Sequence, residues 1–196
     1  MSRFFTPYLQ PVKTTCLGLE LKPFSLGHNI LLHGVESAFV MGGLPDFSDI
    51  AISVFICSRS YTDAVKAFHS KEVHKFMAKW QKQIGNFNLP EKCALFAEYL
   101  KQGNEVPTYS WPEDQEGKSR PSTSPIVLAV KSTLQHKLNF REAELMDRPW
   151  NLCLLDWLIL KELEGAIAFV DEDALAEAKK VADEAYVRLK AEGKIK

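Results

Sequence analysis

Four of the five histidines form two pairs whose residue type could hold a metal ion. His28 and His33 are five residues apart, and so are His69 and His74. Two ligands on one helix are usually three or four residues apart, because those positions share a face. The sequence also has no HExxH motif and no cysteine–histidine cluster at zinc spacing. We therefore expect histidines at the surface or the core edge, and no metal site.

Nucleophiles and phosphate-binding loops lack their usual context. Ser58 and Ser60 flank Arg59 without a GxSxG elbow, and Cys57 lies inside an apolar run. Gly42-Gly43 is followed by neither a P-loop nor a GxGxxG pattern. We predict that the chain is not an enzyme and has no cofactor. The alternative is an enzyme with a substrate pocket around Ser58, Arg59 and His28.

Acidic residues cluster without the context of general acid–base chemistry. Two clusters fit solvated helix faces, and the third fits a helix start, where carboxylates complement the positive pole of the dipole. These clusters are Glu142/Glu144, Glu162/Glu164 and Asp171-Glu172-Asp173.

Composition is typical of a globular protein that can bury a core. The chain has 196 residues, of which 46% are hydrophobic, and its net charge of -1 gives no global reason to bind nucleic acid or acidic membranes. We expect no transmembrane helix and no signal peptide. The widely spaced Cys16, Cys57, Cys93 and Cys153 are expected to be free thiols in the reducing cytoplasm.

Residues 62–84 predict a basic amphipathic helix. Five lysines on this segment face only Asp63 and Glu72 as acids, and this excess could contact a nucleic-acid backbone. Because no arginine is present to bind base edges, we expect a solvated face instead. The apolar stripe of this helix consists of Val65, Phe68, Val73, Phe76, Met77, Trp80 and Ile84. Residues 162–196 carry nine acids against six bases, which argues against nucleic acid as a partner of the tail as well.

The surrounding pattern predicts a mainly α fold, a compact helical domain of about six to eight helices. Residues 1–22 are expected to form an extended N-terminal arm with one short strand or strap, its face made by Leu17, Leu19 and Leu21. A helical subdomain follows over 23–103, with helices from Pro23, over 46–59, over 62–84 and over 88–102. The β-branched residues of 46–59 make a strand the competing interpretation.

Residues 104–125 predict a long polar, proline-rich loop. Its two large aromatics, Tyr109 and Trp111, either pin the loop to the body or contact a partner. A C-terminal helical subdomain over 126–196 is expected to pack on the first one. Four helices are expected there. The first begins at Ser124-Pro125 and ends at Leu134, the next two cover 140–146 and 151–164, and the terminal helix covers 171–193.

Two segments resemble proteins of tailed-bacteriophage and prophage structural gene clusters. Residues 17–28, LGLELKPFSLGH, are similar to the opening of small proteins from those clusters. Residues 147–157, DRPWNLCLLDW, followed by ELEG at 162–165, resemble the aromatic-rich C-terminal helix of tail assembly chaperones. The resemblance implies a small, helical, non-enzymatic protein that engages a tape-measure or tail-tube protein. Many such chaperones are shorter than this chain.

These observations lead to the expected function. We expect a cytoplasmic protein of phage morphogenesis, a tail assembly chaperone that binds a helical partner in apolar grooves. The alternative is a virion structural or head–tail connector protein, and a homo-oligomer is compatible with either. The residues expected to contact the partner are Phe76, Trp80, Tyr109, Trp111, Tyr186 and Leu189.

Overall fold

The structure is a computed structural model that describes residues 13–82, 88–110 and 125–170, together with residues 177, 179–181, 183, 186, 188 and 190. The predicted mainly α fold is confirmed. Within residues 13–82, 88–110 and 125–170 the helices are α1 (Leu26–Gly34), α2 (Ala38–Met41), α3 (Phe47–Cys57), α4 (Tyr61–Phe68), α5 (Glu72–Gln81), α6 (Leu89–Gly103), α7 (Ile126–Leu138), α8 (Glu142–Asp147) and α9 (Trp150–Leu163). None of these helices is both long and apolar enough to cross a membrane.

Four strands of two residues each accompany the helices. They are β1 (Thr15–Cys16), β2 (Leu19–Glu20), β3 (Tyr109–Ser110) and β4 (Ala168–Phe169). The pairs β1–β2 and β3–β4 are both antiparallel. The chain divides into two compact units, the first made of residues up to 106 with 121–158, the second of 107–120 with 159–196. The predicted boundaries at 22, 103 and 125 stay a prediction.

The described part of the N-terminal arm is a hairpin rather than a single strand. Leu17 and Gly18 connect β1 to β2, and both have positive φ, at 49° and 70°. Two consecutive left-handed residues form the tight turn that matches the twist of antiparallel strands. Leu17 is buried in this turn, whereas Leu19 on β2 is only partly buried, so the expected alternating face is not continuous. Residues 1–12 of the arm lie outside the described residues.

Helix starts follow the capping residues of the sequence. The Ser25 and Asp46 side chains each accept a hydrogen bond from the amide of the third residue of the helix that follows, and their own backbone amides donate to the side chain of that residue, which makes capping boxes on α1 and α3. Because Ser25 caps α1, the helix begins at Leu26 and not at Pro23. Asn88 caps α6, which begins at Leu89, and Pro90 is tolerated in the first turn, where its missing N–H has no partner in the helix. The segment 46–59 is the predicted helix, not the competing strand.

The expected single helix over 62–84 is two helices in the structure. α4 ends at Phe68 and α5 begins at Glu72. At the break, the Ser70 hydroxyl donates to the Ala67 carbonyl oxygen at 2.9 Å and accepts from the Glu72 amide at 3.1 Å. One side chain therefore satisfies a backbone group at each helix end, which offsets the interruption.

The core of the first unit surrounds α3. Ile50, Val54 and Phe55 are fully buried there. α3 packs against α1, α4, α5 and α6, and α1 packs against α7 and α8. The second unit contains the ladder between Tyr109–Ser110 and Ala168–Phe169, extended by a 2.9 Å bond from the Val170 amide to the Thr108 carbonyl oxygen. The described residues of the tail from 177 to 190 are helical, consistent with the expected terminal helix.

Candidate functional site

Residues 24–26 and 148–150 meet in a short backbone pairing, called here the junction. The Trp150 amide donates to the Phe24 carbonyl oxygen at 2.8 Å, and the Leu26 amide donates to the Arg148 carbonyl oxygen at 3.1 Å. Ser25 and Pro149 lie opposite each other as an antiparallel bridge. The junction therefore joins the segment before α1 to the segment before α9.

His28 lies in the first turn of α1 and is fully buried. Its Nδ1 accepts from the Ser25 amide at 3.2 Å, and its Nε2 lies 2.7 Å from the Arg59 carbonyl oxygen. A carbonyl can only accept, so Nε2 carries the proton and the ring is the neutral Nε2–H tautomer. Burial lowers the pKa of His28, although the bond to the Arg59 carbonyl and the Asp147 carboxylate oppose the shift.

Gly27 permits the close approach of three segments around His28. A Cβ atom at this position would lie 2.6 Å from a Tyr61 ring carbon and 2.7 Å from the Met146 carbonyl oxygen. The Asp147 carboxylate accepts from the Tyr61 amide at 2.7 Å, which fixes the start of α4 against the end of α8. A side chain larger than hydrogen does not fit here without backbone movement.

The second side of the junction is anchored by polar contacts of Arg148 and Trp150. The Arg148 guanidinium donates to Asp156 at 2.7 Å and lies over the Phe140 ring at 4.9 Å from its centroid. The Trp150 indole N–H donates to the Asn104 side-chain oxygen at 2.8 Å. These contacts hold α8, α9 and the end of α6 around one point.

The enzyme alternative placed Ser58, Arg59 and His28 in one pocket, and the structure does bring them together. Their polar groups bind backbone atoms of the protein. The Ser58 hydroxyl and the Arg59 guanidinium both donate to the Phe55 carbonyl oxygen, at 3.1 and 2.9 Å. The Arg59 guanidinium also lies over the Phe55 ring at 3.8 Å. The Ser58 and Arg59 side chains therefore bind a carbonyl oxygen of the last turn of α3, and the Arg59 carbonyl oxygen accepts from His28.

The four cysteines are free, as expected. Cys16, Cys57 and Cys153 are buried, and burial raises the pKa of Cys16 to about 11 and that of Cys153 to about 12. Burial also raises the pKa of Cys57, and the Tyr99 hydroxyl beside it opposes that shift. Thiols in this state are poor nucleophiles, because the reactive form is the thiolate.

The remaining histidines are apart from these groups. His33 is partly buried at the end of α1, and burial lowers its pKa. His69 and His74 are exposed around the α4–α5 break, and His136 is exposed on α7. Within the described residues, no three histidine, cysteine or acidic side chains come together in a way that could hold a metal ion.

The residues expected to contact a partner belong to different elements of the chain. Phe76 is partly buried, with its ring centroid 5.3 Å from that of Phe55 and 6.2 Å from that of Trp80, so α5 uses this face for packing. Tyr109 is partly buried in β3, opposite Phe169. Tyr186 is 52% exposed on the tail. Trp111 and Leu189 lie outside the residues whose side chains the structure describes.

The structure adds an exposed apolar tip that the sequence analysis missed, made of Met41 and Leu44. These side chains are 57% and 97% exposed. They flank Gly42, whose φ of 80° turns the chain between α2 and α3. α2 is held beneath them by the Phe39 ring, which meets the Phe96 ring edge-on at 4.8 Å. The signal in the sequence was two large apolar residues beside a glycine pair, where a turn usually has polar ones.

No family model, curated protein or solved structure matches the chain.

Proposed function

We propose that this chain is a partner-binding protein of tailed-phage morphogenesis, of the tail assembly chaperone kind. The observation that carries the proposal is the junction. The two segments similar to phage proteins are hydrogen-bonded to each other between residues 24–26 and 148–150, although they lie far apart in sequence. Two resemblances that form one structural element support a shared origin better than two unrelated surface segments would.

The apolar tip supplies the contact that such a protein needs. An apolar side chain as exposed as Leu44 gains nothing for folding, whereas its burial against a partner is favourable by the usual hydrophobic term. Met41 beside it has a flexible thioether side chain, which adapts to irregular partner surfaces. The partner in this proposal is a long helical tape-measure or tail-tube protein, held in the host cytoplasm before the tail polymerises.

The test is co-expression of the chain with the tape-measure protein from the same gene cluster. We expect the chain to increase the soluble fraction of that protein and to co-purify with it. The double variant Met41→Ser/Leu44→Ser should lose co-purification and keep its helical circular dichroism. Leu138→Ser, at another exposed leucine, is the matched control and should keep it.

Two outcomes would contradict the proposal. The first is a tape-measure protein that stays insoluble and unbound in the presence of the folded chain. The second is a stable ring-sized oligomer of the chain in light scattering, which is the behaviour of a connector protein and not of a transient chaperone.

A further inference from the structure

Four lysines of α5 and its two ends form a single exposed row. Lys71 and Lys82 cap the helix, Lys75 and Lys79 lie on it, and all four side chains are exposed. Their spacing of four, four and three residues places them within an arc of about 80° on one face. The row is about 16 Å long, from the rise of 1.5 Å per residue.

The opposite face of α5 fixes the row in position. Val73 is buried against Phe55, and Phe76 and Met77 pack on the same cluster. α5 therefore cannot rotate without exposing these apolar side chains. The backbone positions of the four lysines are for this reason fixed relative to one another on the surface.

The charge of the row is not neutralised within the described part of the chain. None of the four lysines forms an ion pair with a described acidic residue. Glu72 is the sole acid on α5, and Asp63 on α4 is bonded to the Ser60 hydroxyl at 2.7 Å. Like charges at this spacing oppose helix formation, so an external anionic partner would stabilise α5.

We infer that the lysine row binds an acidic α-helix of a protein partner, laid alongside α5. Carboxylates repeated every three or four residues on one helix face have the same spacing as the lysines, so several ion pairs can form together. This inference rests on the proposed function in taking the partner to be a protein.

Helical geometry favours a helix over duplex nucleic acid. One turn of DNA covers about 34 Å, so a DNA strand winds through about half a turn over the length of the lysine row. Its phosphates therefore curve away from the straight line of lysines on α5. Residues 60–88 also contain no arginine, the residue that forms bidentate contacts with phosphates. The carboxylates along one face of an acidic helix lie in a nearly straight row, and each can form an ion pair with a lysine ammonium group, which acts as a point charge.

The test uses a labelled alanine-based peptide of about 18 residues with glutamates at the spacing of the row, and the full-length chain. A second peptide of the same composition has its glutamates spread evenly around the helix. A duplex DNA of about 20 base pairs is the third probe. Binding is measured by fluorescence anisotropy at about 20 mM salt, where screening is weak.

We expect the matched peptide to bind more tightly than the scrambled one. The variant Lys75→Gln/Lys79→Gln should weaken that binding about five-fold, from the modest strength of two exposed ion pairs. The control Lys13→Gln/Lys101→Gln removes two exposed lysines elsewhere and should leave it unchanged. Circular dichroism checks that both variants fold.

Three results would overturn the inference. They are equal binding of the two peptides, an equal effect of the two double variants, and tighter lysine-dependent binding of the duplex, which would assign the row to nucleic acid. Failure of the co-expression experiment alone would reject the phage function and leave these binding measurements intact.

Discussion

The Trp150 amide donates its hydrogen to the Phe24 carbonyl oxygen, and this 2.8 Å bond links the segment before α9 to the segment before α1. Both residues also contribute buried aromatic rings. Phe24 meets the Tyr99 ring edge-on at 6.0 Å, and the Trp150 indole donates to Asn104 just after α6. The junction is therefore a point at which three helices depend on contacts between distant parts of the sequence.

The first prediction concerns two glycines of α1. Gly27→Ala should lower the free energy of unfolding by about 1–3 kcal/mol, because the new Cβ would overlap Tyr61 and the Met146 backbone oxygen. Gly34→Ala on the same helix meets no atom within 4 Å and should be neutral or stabilise by up to about 1 kcal/mol. Urea denaturation followed by circular dichroism measures both. Equal effects of the two substitutions would show that Tyr61 and the Met146 backbone leave room for a methyl group at position 27.

Much of the fold could be predicted because its signals are local. Asp46 and Asn88 start helices through hydrogen bonds to residues only three positions away, so their side chains identify the helix starts from sequence. The sequence of α9 is apolar over most of its circumference, which indicates a core helix; Leu155, Trp157 and Leu158 are buried, whereas Leu163 at its end is 79% exposed.

The rest could not be predicted because it depends on non-local contacts or on competing local ones. Serine is tolerated inside a helix, so the sequence does not indicate a break at Ser70. Its hydroxyl nevertheless bonds the Ala67 carbonyl at the end of α4 and the Glu72 amide at the start of α5. The bridge between Ser25 and Pro149 joins residues far apart in sequence, and the apolar periodicity of neither segment indicates it. The exposure of Leu44 was hidden as well, because composition does not indicate which apolar residues lack a neighbour.

The second prediction concerns pH. The unfolded chain binds a proton at His28 near pH 6.5, whereas the buried ring of the folded chain has a lowered pKa. Stability is therefore fully present above pH 6.5 and falls as the pH drops below it, because protons favour the unfolded state. A protonated Nδ1 would also face the Ser25 amide donor, which breaks that hydrogen bond. Urea denaturation between pH 8 and pH 5 measures this loss.

The variant that isolates this contribution is His28→Asn. It should be less stable at pH 8, because the Arg59 carbonyl loses its donor, and its stability should change less between pH 8 and pH 5. Part of the pH dependence should remain, since burial also lowers the pKa of His33. The exposed His69→Asn is the control and should keep the full dependence. An unchanged pH profile in His28→Asn would contradict the assignment.

The third prediction concerns two buried hydroxyls between α2 and α3. Ser37 and Ser53 are hydrogen-bonded at 3.0 Å, and both side chains are buried. Ser53→Ala should cost about 1–3 kcal/mol, because it leaves the Ser37 hydroxyl buried without this partner. Ser37→Ala should behave similarly. The double variant should cost less than the sum of the two, since it leaves no unsatisfied hydroxyl. Additive losses in a double-mutant cycle would show that the pair is not coupled.

The fourth prediction concerns the ion pair between Arg148 and Asp156 at the junction. The side chains are only 26% and 17% exposed and the atoms lie 2.7 Å apart, so the guanidinium is partly removed from water. Asp156→Ala should lower the free energy of unfolding by about 1–3 kcal/mol, because a charged donor remains without its acceptor. Adding salt should reduce stability little in the parent chain, since a pair this sheltered is weakly screened.

The matched control is the pair of Lys131 and Glu142, which is also short at 2.6 Å but has an exposed carboxylate. Glu142→Ala should cost less than about 1 kcal/mol, as is usual for surface pairs. A larger loss for Glu142→Ala than for Asp156→Ala would mean that burial does not set the strength of these pairs. The expected order instead makes Asp156 the acid on which the junction depends, because Arg148 also presents its backbone oxygen to Leu26.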